Sequence, residues 1–277
     1  MTTEQSPQRA DGWTAAVRQR LGLGRLLPLG GAVEGAWIAE TAAASVLRGA
    51  SVPGAVLGTL RIGPATAAVD TAARAEPDGA AGADPAVPPA PPSALPPGPL
   101  RIEAEFRAAG DRPLPDAAAA LRAALVTAAA ARLGLEVAEV DLRVTALLDD
   151  GAPDQVTAQP SGSPSVPVAK AEGPAAVAAA AVPGVVSLTR VLGSAVHTAE
   201  DHIRIEVATA ADHRVLDVAR SVRTAVSAAT ADRLPVAVLV TDVVEAPGEA
   251  RSGWSVPDVA APPVGIRRTG RTRGPSR

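Results

Sequence analysis

The densest group of potential ligands in the chain is His197-Thr198-Ala199-Glu200-Asp201-His202, with His213 further along. Imidazole and carboxylate groups hold zinc and similar ions when their spacing brings them to one point. This order matches neither H-E-x-x-H nor H-x-x-E-H, and it straddles a turn, where side chains diverge, so a solvated turn is the plainer reading. Glu103 and Glu105 share one face of an alternating segment, as paired acid–base carboxylates must, but Arg101 and Arg107 flank them. Such a pattern reads as an exposed ion-pair ladder. Gly22-Leu23-Gly24 lacks the third glycine and the preceding strand of a dinucleotide-binding turn. The sequence has no cysteine, a single lysine (Lys170), no phosphate-loop lysine motif and no G-x-S-x-G elbow. No catalytic, cofactor-binding or metal-ligating residue is therefore expected, and the chain reads as a non-enzyme.

Composition limits what can position any site. Of 277 residues, 63 are Ala, 25 Gly and 27 Pro, so the hydrophobic share of 47% is inflated by alanine. With one Phe, three Trp and no Tyr, only small cores joined by unpacked segments are expected. The net charge of −3 is uneven, because residues 265–277 hold five arginines and no acid. An acidic body with a basic tail does not suggest a dedicated nucleic-acid-binding domain, and no specific nucleic acid is expected as a partner. The amino terminus lacks the basic start and apolar stretch of a secretory signal, which points to a cytoplasmic location.

Two proline-rich stretches punctuate the chain. Ten prolines fall between Pro64 and Pro99, and five between Asp149 and Pro174. Around them, four blocks recur in the same order: Val52-Pro53-Gly54 and Val182-Pro183-Gly184; Leu100 to Ala104 and Ile203 to Val207; Arg132-Leu133 and Arg233-Leu234; Val144-Thr145 and Val240-Thr241. Ordered recurrence suggests an internal repeat. Leu100, Ile102, Ala104 and Phe106 alternate with charged residues, and Ile203, Ile205 and Val207 alternate with His202, Arg204 and Glu206. Period two predicts half-buried strands with one wet face. Helices are expected from Leu114 to Leu133, closed by Gly134, and along the stripe Val215, Val218, Val222 and Val226. Strands are expected at Val137 to Leu148 and Val236 to Val244, each parallel to the strand before its helix. The strand that follows the second VPG turn is expected to pair as a hairpin around Glu200-Asp201. The fold class is thus α+β: two small helix-strand-strand-helix-strand units, each a short sheet covered by helices.

At these blocks the sequence resembles the alkaline shock protein, or envelope stress response, family of Gram-positive bacteria. The likeness lies in the helix-VPG-V turns (Val52 to Val56, Val182 to Val186), in Arg132-Leu133-Gly134-Leu135, and in the strand Val137 to Val144. The opening Leu26 to Glu40 resembles actinobacterial proteins often labelled after a nucleopolyhedrovirus protein. The resemblance covers roughly 190 residues as two divergent copies. It implies a non-enzymatic cytoplasmic structural or scaffold protein that associates with itself or with related paralogues, or with a small membrane protein. It carries over no catalytic residue and no cofactor.

The division expected from sequence is an amphipathic segment at 1–29, a first unit at 30–148 with a disordered insertion at 64–99, a linker at 149–173, a second unit at 174–245 and an Arg-rich tail at 246–277. Partner or membrane contacts are expected at the two ends. Trp13, Val17 and Leu21 share one side of a short helix that also carries Arg18 and Arg20, and Arg267, Arg268, Arg271 and Arg273 lie in the tail. An anionic lipid surface suits both, and the alternative function is a peripheral membrane-surface or RNA-binding accessory acting through these basic termini. A homo-oligomer joined at exposed strand edges is a further route.

Overall fold

The alternating segments form strands around which the rest is organised. In a computed structural model, residues 22–50, 52–66, 87–148, 166–231 and 234–245 are described. The chain divides into compact units at 1–246 and 247–277, and every described residue belongs to the first. Its strands are β1 (Leu26–Pro28), β2 (Ala36–Ala39), β3 (Ala55–Pro64), β4 (Leu100–Ala109), β5 (Val137–Leu148), β6 (Val168–Ala169), β7 (Val185–Thr189), β8 (Val196–Thr198), β9 (Ile203–Ala210) and β10 (Val236–Val244). The helices are α1 (Glu40–Arg48), α2 (Leu114–Ala128, continued by a π turn at Ala129–Leu133), α3 (Pro174–Ala180) and α4 (Val215–Ala229). The fold is α+β.

Two segments follow one plan. β3 runs antiparallel to β4, and β4 pairs parallel with β5 across helix α2. In the same way, β7 is antiparallel to β9, and β9 is parallel to β10 across α4. Details repeat as well. Both VPG turns close on an i to i+3 bond, from Ala55 N to the Val52 carbonyl and from Val185 N to the Val182 carbonyl, each 3.1 Å. Gly54 sits at φ +75°, the conformation that the third position of a type II turn demands. β5 and β10 each carry an unpaired bulge residue, Thr145 and Thr241, whose hydroxyls donate to the neighbouring carbonyls of Phe106 and Val207. A bulge shifts one strand by a residue and sharpens its twist.

The sheets are unequal, in contrast to the two separate short sheets expected. The first motif stands as a three-stranded sheet in the order β3-β4-β5. The second lies in a seven-stranded sheet ordered β1-β2-β10-β9-β7-β6, with β8 also on β9. β2 comes from the first part of the chain, yet it pairs parallel with β10 through Ala36, Trp37 and Ile38. The division at 149–173 therefore does not separate the sheets. Residues 23–29, expected to be part of an amphipathic end segment, supply buried Leu23, Leu26, Leu27 and Leu29.

The core follows the alternation on β4, where Leu100, Ile102, Ala104 and Phe106 are all buried. Burying the three large side chains, Leu100, Ile102 and Phe106, contributes about 1.5–3 kcal/mol each. On β9 the expected wet face is absent: Glu206 is fully buried, and its carboxylate accepts from Leu192 N at 3.1 Å. The loop before β8 covers that side chain, since Leu192 N reaches the Glu206 carboxylate, while Ala195 and β8 continue the sheet alongside β9. The proline-rich insertion also packs where it is described. Pro88 and Pro91 are buried, Leu95 N donates to the Leu26 carbonyl, and Ala65 N donates to the Pro99 carbonyl. Proline needs no partner for a backbone N–H, so an extended proline segment can lie along a sheet without an unpaired donor.

Candidate functional site

Polar residues that reach between the two motifs mostly serve as joints. Glu40, the first residue of α1, accepts from Ile62 N of β3 at 2.9 Å and from Arg25 N and the Arg25 guanidinium at 3.2–3.4 Å. Burial pushes its carboxyl up, but the donated bonds outweigh that and hold it below the usual carboxylate range. Glu34 receives a bidentate pair from Arg220 of α4, at 2.6 and 3.0 Å. That hydrogen bond, working against burial and reinforced by the charges of Arg220 and Arg223, depresses its carboxyl too. Arg223 adds bonds to the Val33 and Glu34 carbonyls. Arg214, just before α4, donates to the Ala130 carbonyl of the π turn at 3.1 Å. Directly after that turn, Gly134 at φ +85° approaches α4 so closely that an added Cβ would lie 2.5 Å from the Cβ of Leu216.

The histidine cluster does not converge. The His197 and His202 rings meet edge to face with centroids 6.4 Å apart. His202 pairs with its neighbour Asp201 at 2.7 Å, and His213 with Asp212 at 2.8 Å. These bonds lower both aspartates from their ordinary values. Among the described residues, no three His, Asp or Glu side chains gather where an ion could sit. The Gly22-Leu23-Gly24 stretch leads into β1, with Leu23 in the core and its carbonyl bonded by Thr41. Glu103 and Glu105 lie on the exposed face of the small sheet. There Arg101 bridges Glu103 at 3.4 Å, Asp141 at 2.5 Å and Glu139 at 3.8 Å. The ladder thus crosses from β4 to β5 as well as running along β4.

The residues expected to meet partners lie outside the described residues: Trp13, Val17, Arg18, Arg20 and Leu21 at one end, and Arg267, Arg268, Arg271 and Arg273 at the other. Among the described residues, three recesses stand out. One, of about 80 Å³, is lined by Leu23, Gly24, Leu26, Pro92, Leu192 and Arg204. A wider, open one near Lys170, Glu172 and Arg190 measures about 520 Å³. A third, of about 170 Å³, is lined by Arg25, Arg61, Gly63, Pro64, Arg101 and Glu103, and none of the three gathers a set of reactive groups.

The most distinctive surface belongs to β5. Its twelve residues form an edge of the small sheet, and among the described residues no strand occupies the outer side. By register, Val140, Leu142 and Val144 share the face of Ile102, Ala104 and Phe106, and the Thr145 bulge returns Leu147 to that face beside Ala108. Val144 is 38% exposed and Leu147 62%. Helix α2, which packs on β5, adds exposed Leu114 and Val126. From its N-terminal turn through the π turn, α2 is long and apolar enough, by length and composition, to cross a membrane. It nonetheless packs Leu121, Leu125, Ala129 and Leu133 into the core. A long edge flanked by apolar side chains is a template for another strand. Sequence reasoning named exposed edges in general but carried no signal that selects this one, because β2's long-range pairing with β10 is what leaves β5 distinct.

No family model, curated protein or solved structure matches the chain. The surface must therefore be read from its own geometry.

Proposed function

We propose that the chain is a non-enzymatic structural protein of the envelope stress response type, acting through association with copies of itself or with related paralogues. The observation that supports the reading is the open β5 edge with its exposed apolar flank. Its main-chain donors and acceptors, together with Val144 and Leu147, offer both the bonds and the buried area that strand addition uses. The small sheet works as a docking module, and the larger sheet, tied to it by Glu40 and Gly134, works as the rigid body that is brought together. A related paralogue or a small membrane protein would meet the same edge, which would place the protein at the periphery of a membrane.

Sedimentation equilibrium of the full chain over a wide concentration series tests this. The mass should rise reversibly above the 27.6 kDa of one chain. A constant single-chain mass at every concentration, with no gain on adding a purified paralogue, overturns the reading.

A further inference from the structure

The proposed self-association leaves open which surface joins the copies. The two motifs supply a comparison. In the larger sheet, the outer side of β10 is filled by β2, and Val236 to Thr241 are buried. In the smaller sheet, the corresponding side of β5 is bare among the described residues, and most of the strand is exposed. The same position is occupied in one motif and, among the described residues, unoccupied in the other. β2 cannot fill both, because its own neighbours are β1 and β10.

We infer that β5 pairs antiparallel with β5 of a second copy across a two-fold axis at Leu142, merging two three-stranded sheets into one of six. The inference rests on the self-association reading and names its site. The sequence of β5 is complementary to itself in this register. With Leu142 facing its own counterpart, Asp141 of each chain lies opposite Arg143 of the other, so two opposite-charge pairs form. Val140 lies opposite Val144, and Glu139 opposite Thr145. Directly opposed residues in an antiparallel pair share a face, so the half-exposed Val144 gains an apolar neighbour on the helix-covered side. On the other face the Arg101–Asp141 ladder continues through Arg143 of the second copy. A shift of the axis by one residue would set Asp141 against its own counterpart or Arg143 against its own, placing like charges together. A two-fold pairing of identical edges also closes, whereas a head-to-tail contact would continue into a fibre. The Val140 carbonyl already accepts from the Arg122 side chain at 3.2 Å, and its second lone pair remains for the new strand.

Two charge variants of the full chain test the register. Asp141→Arg places only cations at 141 and 143, and Arg143→Glu places only anions there. Each should weaken self-association roughly 10- to 100-fold, because two attractive pairs become repulsive. An equimolar mixture restores both pairs and should recover wild-type affinity as a heterodimer. Circular dichroism checks that each variant is folded. Because Asp141→Arg also removes one of the partners of Arg101, Leu142→Cys provides an independent test in a chain without native cysteine. At the axis the two Cα atoms are about 4.5–5.5 Å apart, within disulfide reach, so mild oxidation should yield a covalent dimer. Wild-type dimerisation that both charge variants retain, or a Leu142→Cys protein that stays uncrosslinked while dimeric, overturns the β5 register and leaves self-association standing. A wild-type chain that never dimerises overturns both.

Discussion

Replacing Gly134 by alanine tests whether the two motifs pack as one body. At φ +85° a side chain in the left-handed region costs about 1–2 kcal/mol. In addition, the new Cβ would stand 2.5 Å from the Leu216 Cβ and 2.8 Å from its Cδ2, distances that real contacts do not reach. Relief requires α4 to shift, which costs about 1–3 kcal/mol more by analogy with overpacked cores. Gly54→Ala is the control, because Gly54 has a similar φ of +75° but an added Cβ would meet Ala109 and Asp111 at ordinary distances of 3.4 and 3.5 Å. The prediction is therefore a difference. Gly54→Ala should lose only the conformational part, whereas Gly134→Ala should lose about 2–5 kcal/mol in total. Urea denaturation followed by circular dichroism measures both, with the slope of the transition unchanged if only stability has altered. Equal losses for the two variants would refute the close approach of α4 to the turn after α2, and with it the interlocked body.

Glu40→Ala should cost about 2–3 kcal/mol at neutral pH, since it removes charged acceptors and strands the Ile62 N–H. The folded-state carboxyl of Glu40 is depressed, so its contribution is complete above the unfolded value and disappears as pH falls through the lower folded value. The gap between wild type and Glu40→Gln, measured by urea titration, should accordingly close in acid and not in base. Asp242 behaves in the opposite sense: burial raises its carboxyl above the ordinary value, despite a bond from Val243 N. Asp242→Asn should thus stabilise the protein at neutral pH, with the advantage fading once acid protonates the wild-type side chain. A thermal-melt series from neutral to acid pH reads that crossover.

The sequence was most informative where local periodicity and burial coincide. Leu100, Ile102, Ala104 and Phe106 announced β4, and Val215, Val218, Val222 and Val226 announced the buried stripe of α4. The turn at Glu200-Asp201 was legible, but β8 forms the hairpin with β9, and the strand after the second VPG turn, β7, pairs with β9 beyond it. What failed were properties decided by distant partners. Arg204 and Glu206 alternate like wet-face residues, but the loop carrying Leu192 lies against them, and a covering loop leaves no trace in the strand's own pattern. Pro88 and Pro91 sit in a composition that suggests an unpacked linker, yet they lie buried; an added Cβ on Gly35 would reach Pro88 at 2.5 Å. Parallel pairing of β2 with β10 joins residues some 200 positions apart, and no turn motif encodes such a partner. The candidate surface was hidden for the same reason, since β5 and β10 look alike until β2 takes the outer side of β10 and, among the described residues, no strand takes that of β5.

Amide hydrogen exchange along β5, followed as the full chain is concentrated, tests the central claim most directly. Outward-facing amides between Glu139 and Thr145 should become protected in step with the rise in mass, while the amides of β3, the opposite edge of the same sheet, keep their rates. Exchange along β5 that is indifferent to concentration while the mass increases would contradict this account.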